Sequence, residues 1–448
     1  MTVINNGGPV PDYRGLEWTG GSLPTESEPW PVQKSYSTIY RPGDEAEALP
    51  GEIRAYAANK SWLWPGRPYL FFSDMHADTD AFLRSLIASG GIMKNGAGDA
   101  DMTLTPFGEK ACFVIGGDCF DKGPENLRLI RALKLLKNTG AEVVTLAGNH
   151  DLRTYIGLAC AGASDPRHAH LFIRTGKKAV PFFKEIFDQY IAGANRDWLQ
   201  ISDEDVRSYL LPDEQWCRDF PDAAQGLVSA AGIAKEIRRI EEKSREFVET
   251  CTRLGMSLGM VYAAVEKARE MFLEPDGEFF WFFDEMKLAL QAGSFLMVHA
   301  GVDDHVAALL RFGGVEALNA AYDDANNKDL FELYNGPLGN VFRTKYRGGD
   351  FPLSAHGLKN LHASGIYAVI HGHRNLLAGQ RITLRSGLLN FECDASVDSG
   401  TRRVEGLSGH GGAVTIVHPD ARVLGISTDH PLIKDFKPAE VCGLTTII

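Results

Sequence analysis

The stretch Cys112-Phe-Val-Ile-Gly-Gly-Asp-Cys-Phe-Asp-Lys-Gly123 is a short apolar run that ends abruptly in glycine, aspartate and lysine. Such a run, bounded by glycine and polar residues, predicts a buried strand followed by a loop. The runs 69–73 and 142–146 have the same form, and helical patterns over 81–88 and 125–137 lie between the three runs. Because strands alternate with helices, the sequence predicts an α/β fold.

Five polar clusters each follow a predicted strand, and two of these strands lie further along the chain at 295–298 and 367–370. Ligands of α/β proteins gather at the carboxyl ends of strands, so the clusters are expected to lie together. Their carboxylate, imidazole and amide groups suit manganese, iron, zinc or magnesium rather than a structural zinc site. One cluster alone is a weak signal, but five in order predict a metal site. The clusters are Ser73-Asp-Met-His76, Gly117-Asp-Cys-Phe-Asp-Lys-Gly123, Gly148-Asn-His-Asp151, Val298-His-Ala-Gly301 and His371-Gly-His373.

The predicted strands are interrupted by a long, mostly helical stretch. We therefore predict an N-terminal extension at 1–66, a catalytic domain built from 67–155 and 293–448, and a helical insertion at 156–292. Within the insertion, 226–272 contains no proline, and apolar residues from Ile233 to Leu254 repeat at helical spacing, which predicts one amphipathic stripe. The charged face of that stripe, 235–245, is interpreted as a solvated surface.

Composition limits the function classes. The 448 residues carry 46 Lys and Arg against 58 Asp and Glu, a net charge of −12, which disfavours nucleic acid as the main partner. A phosphate substrate stays open, because divalent cations can supply local positive charge. No apolar run is long enough to span a bilayer and no secretory signal is visible, so no membrane association is predicted. Seven scattered cysteines indicate reduced thiols and a cytoplasmic location.

The order of the clusters resembles the calcineurin-like metallophosphoesterases, and within them the phosphoprotein phosphatase branch and its bacterial relatives. That family has D-x-H, G-D-x-x-D-R-G, G-N-H-D/E, H-[AG]-G and G-H in this order, and all five can be placed here. The resemblance covers about 68–155 and 294–426. It implies a four-layer α/β/β/α sandwich with a dinuclear metal centre at the strand ends, manganese being the first candidate and iron, zinc or magnesium the others.

The resemblance also implies a role for each matching residue. Asp74 and His76 would bind the first metal, Asp118 would bridge both metals, and Asn149, His299 and His373 would complete the second site. Relatives with G-H-x-H bind through both histidines. In this chain Gly372-His373 matches the G-H motif, so His371 falls on a position that need not bind.

The chemistry implied by the family is attack on phosphorus by a hydroxide that bridges two metals. His150 would be the general acid that protonates the leaving group, oriented by Asp121. A plain structural role is also open for Asp121, which is placed to cap the helix that begins near Pro124.

The chain departs from the family where phosphate would be held. Lys122 replaces an arginine, and lysine offers a point charge where arginine grips two oxygens. The second family arginine corresponds to Arg343 or Arg347, and Arg153 is a third candidate.

These observations leave several functions open. The first is hydrolysis of a phosphomonoester, with phosphoserine or phosphothreonine in a protein as one candidate substrate. The second is a pyrophosphohydrolase of dinucleoside polyphosphates or nucleotide conjugates, and the third is a catalytically silent scaffold on the same fold. The insertion is expected to form a helical cap that lines the substrate pocket, and an interface for oligomerisation is the alternative. The oligomeric state stays open.

Overall fold

The computed structural model describes residues 10–31, 50–193, 202–347 and 350–438. Its strands and helices alternate as the sequence predicts, so the α/β fold class is confirmed. The strands are β1 Ser27–Pro29, β2 Tyr69–Phe72, β3 Ile92–Lys94, β4 Met102–Leu104, β5 Cys112–Ile115, β6 Glu142–Thr145, β7 Leu290–Ala292, β8 Phe295–Met297, β9 Ala368–His371, β10 Arg381–Arg385, β11 Leu388–Glu392, β12 Ala413–His418, β13 Arg422–Ser427 and β14 Ile433–Phe436. The helices are α1 Pro50–Ala58, α2 Thr79–Ala88, α3 Asn126–Asn138, α4 Asn149–Ala159, α5 Val180–Ile186, α6 Asp203–Leu210, α7 Glu214–Ala223, α8 Ala230–Arg253, α9 Leu258–Leu273, α10 Phe280–Asp284, α11 Asp304–Lys328, α12 Leu330–Asn335, α13 Gly339–Arg343, α14 Ala355–Ala363 and α15 Ser399–Glu405.

Two large sheets organise the described part of the chain. The first has the strand order β1-β14-β13-β12-β2-β5-β6, and the second has the order β10-β11-β9-β8-β7. Strands β2, β5 and β6 are parallel neighbours in the first sheet, as are β8, β9 and β11 in the second. Parallel strands end at the same edge of a sheet, so the loops after these strands meet there.

The sheets pack face to face through one apolar cluster. Phe71 and Val114 of the first sheet share this cluster with Phe295, Ile370 and Phe391 of the second sheet. The alternate residues of the strands point the other way, and those of β2 and β5 join the side chains of α2 and α3 in a second cluster. Each of these strands is thus buried on both faces, which explains why its sequence is a continuous apolar run.

The N-terminal region contributes to this core where the structure describes it. Trp30 is buried with its ring 5.3 Å from that of Phe391, and Trp62 stacks on Phe295 at 5.4 Å. Ile53 of α1 is buried in the same cluster. The division of the chain into an extension, a catalytic domain and an insertion stays a prediction, and a boundary at 155/156 would fall inside α4.

The predicted stripe from Ile233 to Leu254 lies on one helix, α8, with Leu254 as its C-cap, and Ile240, Phe247 and Cys251 of this face are buried. The proline-free stretch 226–272 as a whole, however, forms two helices. Helix α8 ends at Arg253, and Gly255 follows with a φ of 70°, a left-handed conformation that glycine adopts at little cost. Ser257 then caps α9 by accepting a hydrogen bond from the backbone N–H of Met260. Apolar spacing continues across this break, so periodicity alone does not reveal it.

Other elements were not anticipated from the sequence. Four helices, α11 to α14, lie between β8 and β9. The short hairpin of β3 and β4, the edge strand β1 and its neighbour β14 were missed as well, since strands of three or four residues carry almost no pattern.

Aromatic side chains join the loop after β5 to the helices that follow α4. The ring of Phe120 lies 5.3 Å from that of Phe182 and 5.8 Å from that of Phe272. Phe282 and Phe283 contact it at 5.6 and 5.9 Å. All five rings are buried, so one aromatic core supports both the loop and the helices.

Helix α3 is capped from a distant part of the chain. Its own N-cap residue, Glu125, makes no capping hydrogen bond through its side chain. Instead the carboxylate of Glu185, in α5, accepts hydrogen bonds from the backbone N–H groups of Asn126 at 2.8 Å and Leu127 at 3.0 Å. These groups would otherwise lack partners within the helix.

Replacing Glu185 by Ala is therefore expected to lower the free energy of unfolding by about 1 kcal/mol, the usual effect of losing a helix cap. Urea unfolding followed by circular dichroism measures this change. Asp188→Ala is the matched control, because Asp188 is an exposed residue close to Glu185 whose carboxylate pairs with Lys184. Equal stability of the two variants would show that this cap does not stabilise the fold.

No helix in the described ranges is long and apolar enough to cross a membrane. Six of the seven cysteines lie within those ranges and all six are free thiols. Cys442 lies outside the described residues.

Candidate metal centre

Six of the predicted metal-binding residues converge where the two sets of parallel strands end. Asp74 and His76 follow β2, Asp118 follows β5, and Asn149 begins α4 just after β6. His299 follows β8 and His373 follows β9. The first five are buried and His373 is half-buried, which is unusual for so many polar side chains in one place.

Asp118 is the centre of the arrangement. Its Oδ2 lies 3.8 Å from Nε2 of His76, while its Oδ1 lies 3.4 Å from Nε2 of His299. It therefore belongs to two groups whose ligand atoms are all within 4.8 Å of one another, one with His76 and His150 and the other with His299 and His373. One carboxylate facing two sets of imidazoles is the geometry that a residue shared by two cations requires.

Asp74 lies beside the first group. Its Oδ1 is 3.8 Å from Nε2 of His76, and its Oδ2 accepts hydrogen bonds from the backbone N–H of His373 at 2.9 Å and from the hydroxyl of Ser73. Burial raises the pKa of Asp74. Burial acts in the same direction on Asp118, but the positive charges of His299 and His150 outweigh it and lower the pKa of Asp118.

The side chain of Asn149 tests whether these residues fit a cation. One atom of its amide head lies 2.7 Å from Nδ1 of His373 and 3.3 Å from Nε2 of His299. With the oxygen in that position, the amide accepts hydrogen bonds from protonated rings or, where the rings are neutral, shares a cation with their lone pairs. With the nitrogen there, the amide donates to the two rings. The amide and imidazole groups thus suit a divalent ion.

The backbone at the site is strained. Asp74, His76, Asp118 and His373 have φ angles of 57°, 42°, 58° and 66°. Residues other than glycine seldom adopt this left-handed region, and each case costs of order 1–3 kcal/mol. Such strain persists where the surrounding structure holds the loops in place, and it clusters at functional sites.

His150 and Asp121 form a close pair. Nδ1 of His150 lies 2.6 Å from Oδ2 of Asp121, and the backbone N–H of His150 donates to Oδ1 of Asp118 at 2.8 Å. Burial raises the pKa of Asp121 to about 6 and holds the pKa of His150 well below its usual 6.5. The capping role considered for Asp121 is wrong, because α3 begins at Asn126 and takes its cap from Glu185.

Asp151 is a residue whose role the sequence analysis missed. Its carboxylate accepts hydrogen bonds from the backbone N–H groups of Asp118 at 2.7 Å, Cys119 at 2.7 Å and Gly148 at 3.2 Å. It therefore fixes the loop that carries Asp118. Asp151 is the last residue of the Gly-Asn-His-Asp cluster, so the sequence analysis could have singled it out.

The structure places His371 apart from the two ligand groups. Its Nδ1 faces the backbone oxygen of Gly372 at 2.9 Å. Burial lowers the pKa of His371 to about 4, with the negative charge of Glu392 acting in the opposite direction.

The four predicted substrate-binding residues line one cavity of about 900 Å³, together with residues of the metal groups. Lys122 has its Nζ 2.6 Å from Nε2 of His76, so it lies directly against the ligand groups. Arg153 and Arg343 are half-buried, and Arg347 is exposed.

Most of the charged face at 235–245 is exposed, as the interpretation of a solvated surface requires, but part of it also borders the cavity. Lys235, Arg239 and Lys243, spaced four residues apart on one face of α8, line this cavity, as do Arg174 and Lys178 of the preceding segment. In all, eleven Lys and Arg side chains border it against five Asp and Glu. A charged face at helical spacing has the same pattern whether it meets water or a ligand, so the sequence could not separate the two.

Comparisons with known proteins agree with the motif order. The family model of calcineurin-like phosphoesterases matches residues 67–230. A search of curated proteins finds no match. Solved structures with similarity include a cold-active protein-tyrosine phosphatase of the psychrophile Shewanella sp., with 14% identity, a TM-score of 0.43, and 92% of this chain and 91% of that chain covered. Another is a protein serine/threonine phosphatase from Saccharomyces cerevisiae with similarity to human phosphatase PP5, with 12% identity, a TM-score of 0.37 and 87% of each chain covered.

Proposed function

We propose that this protein is a metal-dependent hydrolase of phosphoric esters and that it removes the phosphoryl group of a phosphomonoester. The match of residues 67–230 to the family model of calcineurin-like phosphoesterases supports this proposal. The observation that carries the proposal is the position of Asp118, whose two oxygens face two separate groups of imidazoles. Two divalent cations, when bound, supply a water of lowered pKa and neutralise the phosphoryl oxygens.

The proposed ligands are Asp74 and His76 for one cation and Asn149, His299 and His373 for the other, with Asp118 shared. His371 is left out, because the ligand groups do not include it. Manganese is the first candidate for this set of carboxylate, imidazole and amide groups, and iron, zinc and magnesium suit it as well.

His150 is the proposed general acid. Asp121 accepts the Nδ1 proton of the ring, which leaves Nε2 to carry the proton that the leaving oxygen needs. Burial keeps the free imidazole neutral, but an anionic phosphoryl group beside it favours the charged form. Binding of the substrate would thereby load the acid with its proton.

Lys122, Arg153, Arg343 and Arg347 are the proposed phosphate-binding residues, since all four border the cavity that contains Asp118 and His150. Walls from residues 174–178 and from α8 surround this cavity as well. Because residues 174–178 and α8 wall the cavity, a compact phosphorylated molecule fits it better than the flat surface of a phosphoprotein does. The excess of Lys and Arg is compatible with a dinucleoside polyphosphate, which remains the second candidate.

Hydrolysis of p-nitrophenyl phosphate, a phosphopeptide and a dinucleoside tetraphosphate tests the proposal. We expect release of nitrophenol in the presence of Mn²⁺, less than about 1% of that rate after chelation, and recovery when Mn²⁺ is added back. Recovery is the control that separates metal loss from denaturation. Full activity in the chelated protein would contradict a metal-dependent reaction, and cleavage of the tetraphosphate alone would favour the second candidate.

A further inference from the structure

Four cationic side chains surround the phenol of Tyr334 at the wall of the cavity. The guanidinium groups of Arg174 and Arg343 lie 4.7 and 5.5 Å from the centre of its ring, and Arg153 lines the same cavity as Tyr334. Lys243 of α8 donates from Nζ to the backbone oxygen of Arg174 at 3.0 Å. We call Arg153, Arg174, Lys243 and Arg343 the cationic subsite.

The side chains of the subsite come from four separated parts of the chain. Arg153 lies in α4, four residues after Asn149, so the subsite is directly connected to the metal centre. Arg174 lies in a tight segment that reverses at Gly176, where φ is 68° and an added Cβ would lie 2.6 Å from Nζ of Lys243. Because Gly176 has no side chain, Lys243 of α8 can approach this segment closely. The subsite thus forms only when the segment around Gly176 and α8 lie against α4, next to the metal centre.

Protein carboxylates balance the positive charges of the subsite only in part. Glu236 pairs with Arg174. The buried Nε of Arg343 has no hydrogen-bond partner within the described residues. Burial and the charges of Arg153 and Arg174 lower the pKa of Lys243 to about 8. Burial would raise the pKa of Tyr334, but the same two arginines and Arg343 outweigh it and lower that pKa to about 6. Half-buried cations that repel one another are stabilised by an anion placed among them.

A purely structural role for the four cations is the alternative. Arg174 fits it, because its guanidinium is paired with Glu236 and lies 4.7 Å from the ring centre of Tyr334. Lys243 does not, since it borders the cavity and lies close enough to Arg153, Arg174 and Arg239 for their charges to lower its pKa. Like charges gathered at the wall of a cavity become favourable when an anion lies among them.

We propose that the cationic subsite binds a second phosphate group of the substrate, while the phosphoryl group to be removed lies against Asp118 and His150. The proposal rests on the proposed function and adds a substrate class to it, namely small molecules that carry two or more phosphate groups. Guanidinium groups bind phosphate through paired hydrogen bonds, and a lysine adds a point charge.

A matched pair of probes tests the substrate class. Fructose 1,6-bisphosphate and fructose 6-phosphate differ by one phosphate group, so the ratio of their kcat/KM values reports on the second group alone. In the unmodified protein we expect a ratio of at least about ten, the effect of one charge-assisted hydrogen bond. Lys243→Ala should lower this ratio about tenfold. Arg239 is an exposed residue of the same cavity wall, and Arg239→Ala should lower the ratio a few-fold.

Arg238→Ala is the matched control. Arg238 precedes Arg239 in α8 and is equally exposed, but it does not border the cavity, so its loss should leave the ratio unchanged. Lys243→Arg keeps the charge and should retain most of the preference. A ratio near one in the unmodified protein, or an equal fall of the ratio in the Arg238 and Arg239 variants, would overturn the proposal.

A binding measurement separates failure of the subsite from failure of the proposed function. In the chelated protein, which is not expected to turn over, fructose 1,6-bisphosphate should raise Tm more than fructose 6-phosphate does. The difference should disappear in Lys243→Ala and persist in Arg238→Ala. If no phosphomonoester is hydrolysed under any condition but this difference is found, the subsite stands and the proposed function fails. If esters are hydrolysed but neither probe shifts Tm differently, the subsite fails and the function stands.

Discussion

Asp118→Asn is expected to lower kcat/KM for p-nitrophenyl phosphate by about 10³-fold or more, the largest loss for any single substitution at the site. The reason is geometric, because each oxygen of this carboxylate faces a different group of imidazoles. An amide keeps the shape of the side chain but removes the charge and one lone-pair set. Both cations should therefore be weakened together.

Metal content is the second readout for this variant. The unmodified protein should hold two Mn²⁺ ions per chain after dialysis and Asp118→Asn fewer than one, as measured by elemental analysis. Asp80→Asn is the control, since Asp80 is an exposed carboxylate that pairs with Arg128 on the surface. Two ions per chain and near-normal activity in Asp118→Asn would exclude Asp118 as the shared ligand.

His150→Ala is expected to lower kcat by about 10²–10⁴-fold for an alkyl phosphate, the usual contribution of a general acid. The loss should be much smaller for p-nitrophenyl phosphate, because nitrophenolate leaves without needing a proton. The comparison matters at this site, since the ring also lies in a group of ligand atoms with His76 and Asp118. Steady-state kinetics with both substrates distinguishes an acid from a metal ligand.

Equal losses for the two substrates, together with a lower metal content, would assign His150 to a cation instead. Asp121→Asn should reproduce part of the substrate-dependent loss, because it removes the charge that Nδ1 of His150 faces. His356→Ala serves as the control, since His356 is an exposed histidine of α14.

The convergence of polar side chains at the strand ends was the feature of this protein that its sequence predicted best. Each strand that leads to the site is buried on both faces, so it forms a continuous apolar run, and the polar loop that follows stands out. Asp74, Asp118 and His299 could be placed at strand ends for this reason. Their convergence then follows from parallel strands that end at one edge.

The substrate side of the cavity could not be predicted in the same way. Lys243 and Arg174 come from a segment whose charges have ordinary helical spacing, and only the fold shows which of them face inward. The contact between Lys122 and His76 joins residues 46 positions apart through a loop conformation with a φ of 66° at Lys122. Helix α11 was missed although it is long, because its glycine pair bends it, with a φ of 68° at Gly314.

The rings around Phe120 and the carboxylate of Glu185 limit how this chain can be shortened. Deleting the residues between α4 and β7 would remove all four aromatic partners of Phe120 and the cap of α3 at the same time. The loop that carries Asp118 would then lose its support although every proposed ligand remained in the chain. The residues between α4 and β7 therefore cannot be removed independently of the site. A shortened catalytic fragment, or a chimera with a foreign segment at this place, would form the site only if the aromatic contacts of Phe120 were restored.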